Sequence, residues 1–286
     1  VHVDSPISAT LVCWGNAWLT GHIGLDEAVD QVERTAGPGL IAAPLPHLPP
    51  SAAPNPATGL GGLSGVSERS GLSGLAGLSG PSGDDPGADI PLRRFLAELR
   101  TAGLSALRLA LPVAGDPLGL TGPPSFNSAA IEAGEAAIAV LPDTCLGLVP
   151  AVDRRGSSYV GIRWTVLPAA PATPDLPSLA EAEHALSSAM RSATETLSTV
   201  EGPRQAHPGS ALKTAEEALA PGYPARAHRV AVLSARLASA LRLADDRGLT
   251  SGQITARGDA LRELDRAVRR ARVAAHHAIL HEPGIR

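Results

Sequence analysis

Beyond Pro177 the apolar side chains recur at intervals of three and four, and no feature of the chain restricts its fold more. Between Pro177 and Val200 the row is Leu179, Ala182, Leu186, Ala189, Ala193, Leu197 and Val200. Between Ala225 and Arg247 it is Val230, Leu233, Leu237, Leu241 and Ala244, with Gly248 following. Ser251 to Leu280 repeats the pattern with Ile254, Leu261, Leu264, Val268, Ala271, Ala275 and Ala278. A shorter helix is expected over Ser210 to Ala220, stopped by Pro221 and Gly222. At 3.6 residues per turn each row occupies one face of a helix. Burying one Leu or Val contributes about 1.5–3 kcal/mol, so such faces pack against one another. The expected result is an antiparallel helical bundle over residues 177–286, in which abundant Ala permits close approach of the axes.

Upstream, Leu11, Trp14 and Trp18 share a helical face within residues 8–20, and Leu25, Val29 and Val32 share another within 24–35. Asp26 and Glu27 suit the first turn of that second helix, and Gly37-Pro38 suits its end. Residues 1–40 therefore read as a helical pair, with both Trp side chains contributing to a core. Residues 41–89 are rich in Pro, then in Gly, Ser and Leu, and carry too little bulky side chain to offset the entropy of ordering; they read as a disordered linker. Gly recurs every third residue from 59 to 83 except at Glu68, yet Pro81 is the only Pro in the remaining positions. A flexible repeat is expected rather than a collagen-like triple helix.

Residues 90–172 read as a small α/β unit. A helix is expected over 90–102, a strand over 104–113, a helix over 128–140 carrying Ile131 and Ile138, and strands over 144–152 and 159–167. A six-residue turn joins the last two, which makes them antiparallel. The expected fold class is α+β with a predominantly α-helical C-terminal half: a small three-stranded sheet with flanking helices plus the bundle.

Composition narrows the function more than it identifies it. Lys213 is the only Lys beside 23 Arg, the coding bias of a GC-rich bacterial genome. The net charge of −4 is unevenly spread. Residues 1–90 hold two Arg against nine Asp or Glu, residues 91–176 balance, and residues 177–286 hold 15 basic against 12 acidic. None of these values approaches the basic excess of a dedicated nucleic-acid binder. Cys13 and Cys145 form no CxxC pair, which fits a reduced, cytoplasmic setting. The amino-terminal residues lack a positively charged region before their apolar stretch, and no run of about 18 apolar residues occurs; neither secretion signal nor membrane span is expected. No GxxxxGK, GxSxG or GxGxxG is present. Ser210-Ala-Leu-Lys213 matches SxxK by letters only, since one Lys cannot also supply KTG. No cofactor is indicated.

Three groups of residues remain as candidates. The loop from Gly115 to Asn127 joins a strand to a helix N-terminus, where free N–H groups attract anions. Asp116, Ser125 and Asn127 would stand at its mouth, Glu132 and Glu135 follow, and Arg163 beside Trp164 could approach from the third strand. The same loop is also explained as a surface turn shaped by its Gly and Pro, with Ser125 or Asn127 capping the helix. Arg262, Arg266, Arg269 and Arg270 form a basic ridge opposite the apolar row of the last helix, most simply its hydrated side. His277 and His281 share a face, but two imidazoles fall short of a metal site and no metal is expected. The function expected is that of a non-enzymatic interaction or regulatory protein using helical surfaces, with a protein partner or a second copy of itself. The alternative is a small-ligand binder or enzyme with an anion at loop 115–127.

Overall fold

The sheet has six strands, not three. In the computed structural model, which describes residues 6–42, 89–156, 158–172, 174–200, 218–242 and 251–281, the elements run α1 (Ile7–Leu19), α2 (Leu25–Ala36), β1 (Gly39–Ile41), β2 (Ile90–Pro91), α3 (Leu92–Thr101), β3 (Ala106–Ala110), α4 (Pro124–Ala133), β4 (Ala136–Val140), β5 (Cys145–Arg155), β6 (Tyr159–Ala169), α5 (Leu179–Val200), α6 (Ala225–Arg242) and α7 (Ser251–His277), with a final 3-10 turn over Ala278–His281. The strand order is β2-β1-β6-β5-β4-β3. Only β1 and β6 are parallel; every other pair is antiparallel, including the expected β5–β6 hairpin. The segment 43–88 with its Gly repeat, the Ser210–Lys213 tetrapeptide and most of the short helix expected over 210–220 lie outside the described residues.

The three additional strands have separate physical origins. Gly134, at φ +73°, ends α4 in the left-handed region, a stop that glycine supplies without steric cost. The chain then enters β4, Ala-Ala-Ile-Ala-Val, buried on both faces. A strand without a solvated face shows no alternation, so Ile131 and Ile138, seven apart, imitate a single helix. β1 and β2 hold three and two residues, too few for any period to register. They pair with each other, Ile41 against Ile90, so that the chain between them leaves and re-enters the sheet at one place.

Strand alternation sorts the core into two layers. Leu107, Leu109, Ala137, Ala139, Leu146, Leu148, Ile162, Trp164 and Val166 face α1, α2 and α3, which supply Leu11, Val29, Val32, Phe95, Leu96 and Leu99. On the opposite face Phe126 and Ala130 of α4 cover Ala136, Ile138, Cys145 and Val149. A third cluster joins α5, α6 and α7 through Leu186, Val230, Leu264 and Val268, and reaches Cys13 and Ala17 of α1. Helix α1 thus touches the sheet on one side and the bundle on the other, and ten of its thirteen residues are buried. Trp14 and Trp18 are half-buried, one against each cluster, and the guanidinium of Arg100 lies 5.8 Å from the Trp18 ring.

Gly15 sets the spacing of α1 on β3. A Cβ there would overlap Cδ1 of Leu107, a side chain buried completely. Helix propensity alone would favour Ala by about 1 kcal/mol. Gly15→Ala is nevertheless expected to destabilise by about 1–3 kcal/mol through overpacking. The same change in a Leu107→Ala background should be neutral or stabilising, a coupling that denaturant titration of the four proteins in a double-mutant cycle measures directly.

Candidate functional site

β3 is the outer strand of the sheet, and its outward backbone groups need partners once helices cover them. Two side chains far apart in sequence provide these. Asn16, fully buried on α1, donates from Nδ2 to the Leu107 carbonyl at 2.8 Å and accepts the Leu107 N–H at Oδ1, also at 2.8 Å. Its amide therefore pairs with the edge as a neighbouring strand would. Two residues along, the Leu109 N–H donates to Nε2 of His277 at 2.7 Å. An accepting Nε2 fixes the neutral ring with its proton on Nδ1. Burial, then the charges of His276, Arg108 and His281, push the His277 pKa down to about 3. This imidazole is a structural acceptor. Among the described residues no group of three or more His, Cys, Asp or Glu is placed to hold a metal.

Asp116 and the basic ridge, separate candidates in the sequence, meet in the fold. Gly115, at φ +83°, turns the chain after β3 so that the buried Asp116 faces α7. Arg269 donates to Asp116 Oδ2 at 3.1 Å, Arg270 to Oδ1 at 3.4 Å, and Arg266 Nε lies 3.8 Å from Oδ2. Arg269 also donates to the Leu111 carbonyl at 3.1 Å and to Asp265 at 2.9 Å. The ridge is therefore not simply the hydrated side of α7: Arg269, with 13% of its side chain exposed, rivets the helix to the loop. Arg262 stays exposed and pairs with Asp259 on its own helix. Apolar periodicity places a long Arg on the polar side of a helix, but that side can still border another segment when its charge meets a buried carboxylate.

The rest of the loop does not converge on Asp116. Asn127 accepts the Gly122 N–H at Oδ1, 3.0 Å, and its own N–H goes to the Pro123 carbonyl. Ser125 is exposed in the first turn of α4 and Glu132 is exposed near its end. Pro123 and Pro124 flank the helix start and remove N–H groups that an anion there would need. Arg163 is turned to different work: it forms a two-point contact with Asp89 at 2.9 and 3.2 Å, and Arg155 reaches the same carboxylate at 2.9 Å. It lies opposite Leu40 of β1, whereas the loop touches the other end of β6 at Ala170.

Glu135, close to the candidate list by position, serves α1 instead. Its Oε2 accepts the Ser8 N–H at 2.6 Å, a carboxylate capping a helix N-terminus from another element. Burial raises its pKa and outweighs the opposing contributions of Ser8, Ile7 and Arg272. On the far side of α1, Tyr223 donates to the His276 carbonyl at 2.9 Å, and the Ala220 N–H meets Cys13 Sγ at 3.0 Å. Glu135 was named in the sequence only as a carboxylate following the candidate loop, and Asn16 and Tyr223 were not singled out as polar contacts. The one sequence signal for Asn16 was a polar amide inside an otherwise apolar helix.

A six-stranded antiparallel-rich sheet, helices on both faces and an outer strand closed by side chains from both ends of the chain define an α+β protein with a helical C-terminal layer. The chain belongs to the Rv1486c-like family: residues 8–181 match that family's N-terminal domain and residues 180–273 its C-terminal domain. It is similar to the uncharacterized protein Rv1486c of Mycobacterium tuberculosis (strain ATCC 25618 / H37Rv), with 30% identity over 96% of this chain and 97% of the relative. It is also similar to the uncharacterized protein MT1533 of Mycobacterium tuberculosis (strain CDC 1551 / Oshkosh), again 30% identical over 96% and 97%. The uncharacterized protein ML1804 of Mycobacterium leprae (strain TN) is 33% identical over 61% of this chain and 68% of its own. No solved structure matches the chain. Among the described residues no helix is long and apolar enough to cross a membrane.

The His277 contact makes stability depend on pH in a defined direction. Its folded pKa lies below the ordinary value of 6.5, so the unfolded chain takes up the proton first. Its contribution is complete above about pH 6.5 and declines toward pH 3, at about 1.4 kcal/mol per pH unit. Glu135, raised from 4.5, acts oppositely: its contribution is present below pH 4.5 and is lost as pH rises through the raised value. Between pH 7 and 5 the wild type should lose about 2 kcal/mol more than His277→Gln, read from denaturant titrations at both pH values. Equal losses would remove His277 from this role.

Proposed function

We propose that the chain is a non-enzymatic interaction protein in which the sheet and α1 form a rigid support for a helical docking layer built from α5, α6 and α7. One observation carries this reading. Asp116, the carboxylate at the mouth of the most site-like loop, is held by Arg269 and Arg270, so proton transfer or ligand binding there would first dissolve a contact between the loop and α7. Asn127, Arg163 and His277 are similarly engaged with groups of the chain itself. Cross-linking followed by mass spectrometry, applied to the tagged chain expressed in a mycobacterial host, tests the idea. Cross-links from α5, α6 or α7 to another protein or to a second copy are expected. A chain recovered only as the isolated monomer would sink the reading.

A second reading rests on the surplus of positive charge about Asp116. Three guanidiniums surround one carboxylate, and Arg266 remains 61% exposed at 3.8 Å from it. A phosphate or carboxylate ligand seated between Arg266 and Arg270 would balance that charge. Inorganic phosphate at about ten times its dissociation constant should then stabilise the chain by about 1.4 kcal/mol, visible as a rise in melting temperature at constant ionic strength. Arg266→Ala/Arg270→Ala should abolish the rise; persistence of the rise in that variant would eliminate the site.

A further inference from the structure

We propose that the outward face of α6 is a docking seam for an acidic amphipathic helix of a partner protein. The proposal rests on the interaction reading above and specifies which surface is used and what it recognises.

Helix α6 is amphipathic twice. Its inner face, Ala227, Val230, Ala231, Ser234 and Ala235, is buried; the first three belong to the cluster shared with α5 and α7, and Leu233 at the flank packs partly against it. At 100° per residue, Arg229, Val232, Leu233 and Arg236 fall on the opposite side, at positions i, i+3, i+4 and i+7. That is the spacing by which one helix receives another. Together with His228 these four line a groove of about 330 Å³. Val232 and Leu233 are half-buried at its floor, while Arg229 and Arg236 are exposed at its ends.

Charge defines the occupant. Residues 225–242 contain Arg226, Arg229, Arg236, Arg242 and His228, and no Asp or Glu. Arg226 is balanced by Glu183 of α5 at 2.5 Å, and Arg242 donates to Ser239. Arg229 and Arg236 have no carboxylate or hydrogen-bond acceptor among the described residues. Carboxylates on an incoming helix would pair with them, with apolar side chains between covering Val232 and Leu233. A second copy of the same helix is a poor occupant, because two-fold pairing sets the Arg229 and Arg236 ends of the two seams against each other. An anionic lipid surface is a weaker match too: the seam offers only Val232 and Leu233 as apolar residues, both half-buried, and no aromatic side chain to enter a bilayer interface.

The test uses the full chain and a synthetic fluorescein-labelled helical peptide bearing Leu at i and i+4 and Glu at i−3 and i+7, with a control in which Lys replaces Glu. Anisotropy should show the Glu peptide binding at about 50 mM NaCl and weakening at least about fivefold at about 300 mM. Arg229→Glu/Arg236→Glu should weaken it at least about tenfold, leave the circular dichroism spectrum and melting temperature unchanged, and bind the Lys peptide instead. Equal binding of both peptides, or indifference to the double substitution, overturns the proposal. So does binding of phosphatidylglycerol vesicles, lost on the same substitution, without binding of the Glu peptide. Binding that emerges only after residues 201–217 are replaced by a short Gly-Ser linker overturns it as well, since the chain would then supply its own occupant. Cross-links that survive the charge reversal leave the interaction reading standing and remove only this seam; absence of any cross-linked partner removes both.

Discussion

The structure turns on how the edge of one strand is closed. A sheet edge exposes N–H and C=O groups that water satisfies freely, and a helix laid over them must replace that water or lose about 1–3 kcal/mol for each group left bare. Here the replacement comes from Asn16 near one end of the chain and His277 near the other. Helices α1 and α7 are consequently tied to Leu107 and Leu109, two residues apart on β3. Everything between them in the bundle inherits its position from this tie, because α5 and α6 reach the sheet mainly through α7 and α1.

That arrangement also explains the concentration of polar groups in the interior. Arg272, His276 and His277 are buried near the end of α7, where a helix is enclosed by β3 and α1 on one side and by the bundle on the other. Three polar side chains there are matched by backbone: His277 by the Leu109 N–H, Nδ1 of His276 by the Arg272 carbonyl, and Tyr223 by the His276 carbonyl. Replacing such a group with an apolar one would leave its partner bare, which favours one arrangement of the helices over a slipped alternative.

Periodicity made the outer parts of this fold readable and left its centre opaque. The rows of α5, α6 and α7 and the stripe of α3 follow from patterns with one wet face, and the β5–β6 hairpin follows from its short turn. β4 lacks a wet face and α1 nearly does, so neither advertises its environment. Of the candidate residues, Asp116 and the Arg266–Arg270 stretch stood as separate groups in the sequence, most simply a surface turn and a hydrated helix face, because the contact between them spans 153 residues and no local pattern encodes it. Asn127, in the first turn of α4, bonds back to the preceding loop at Gly122, while Arg163 was drawn to Asp89 because the short strands β1 and β2, unseen in the sequence, bring that carboxylate beside β6.

The pairing of Ile41 with Ile90 carries an evolutionary consequence. Because Ile41 and Ile90 are paired, the chain on either side of residues 43–88 is held together at one place in the sheet, and closing a connection between such neighbours costs only about 0.6 kcal/mol more for each doubling of its length. Insertion, deletion or expansion of triplets at this doorway leaves strand register untouched. Members of the family can therefore differ in the length of this connection while the strand pairing on either side of it stays constant.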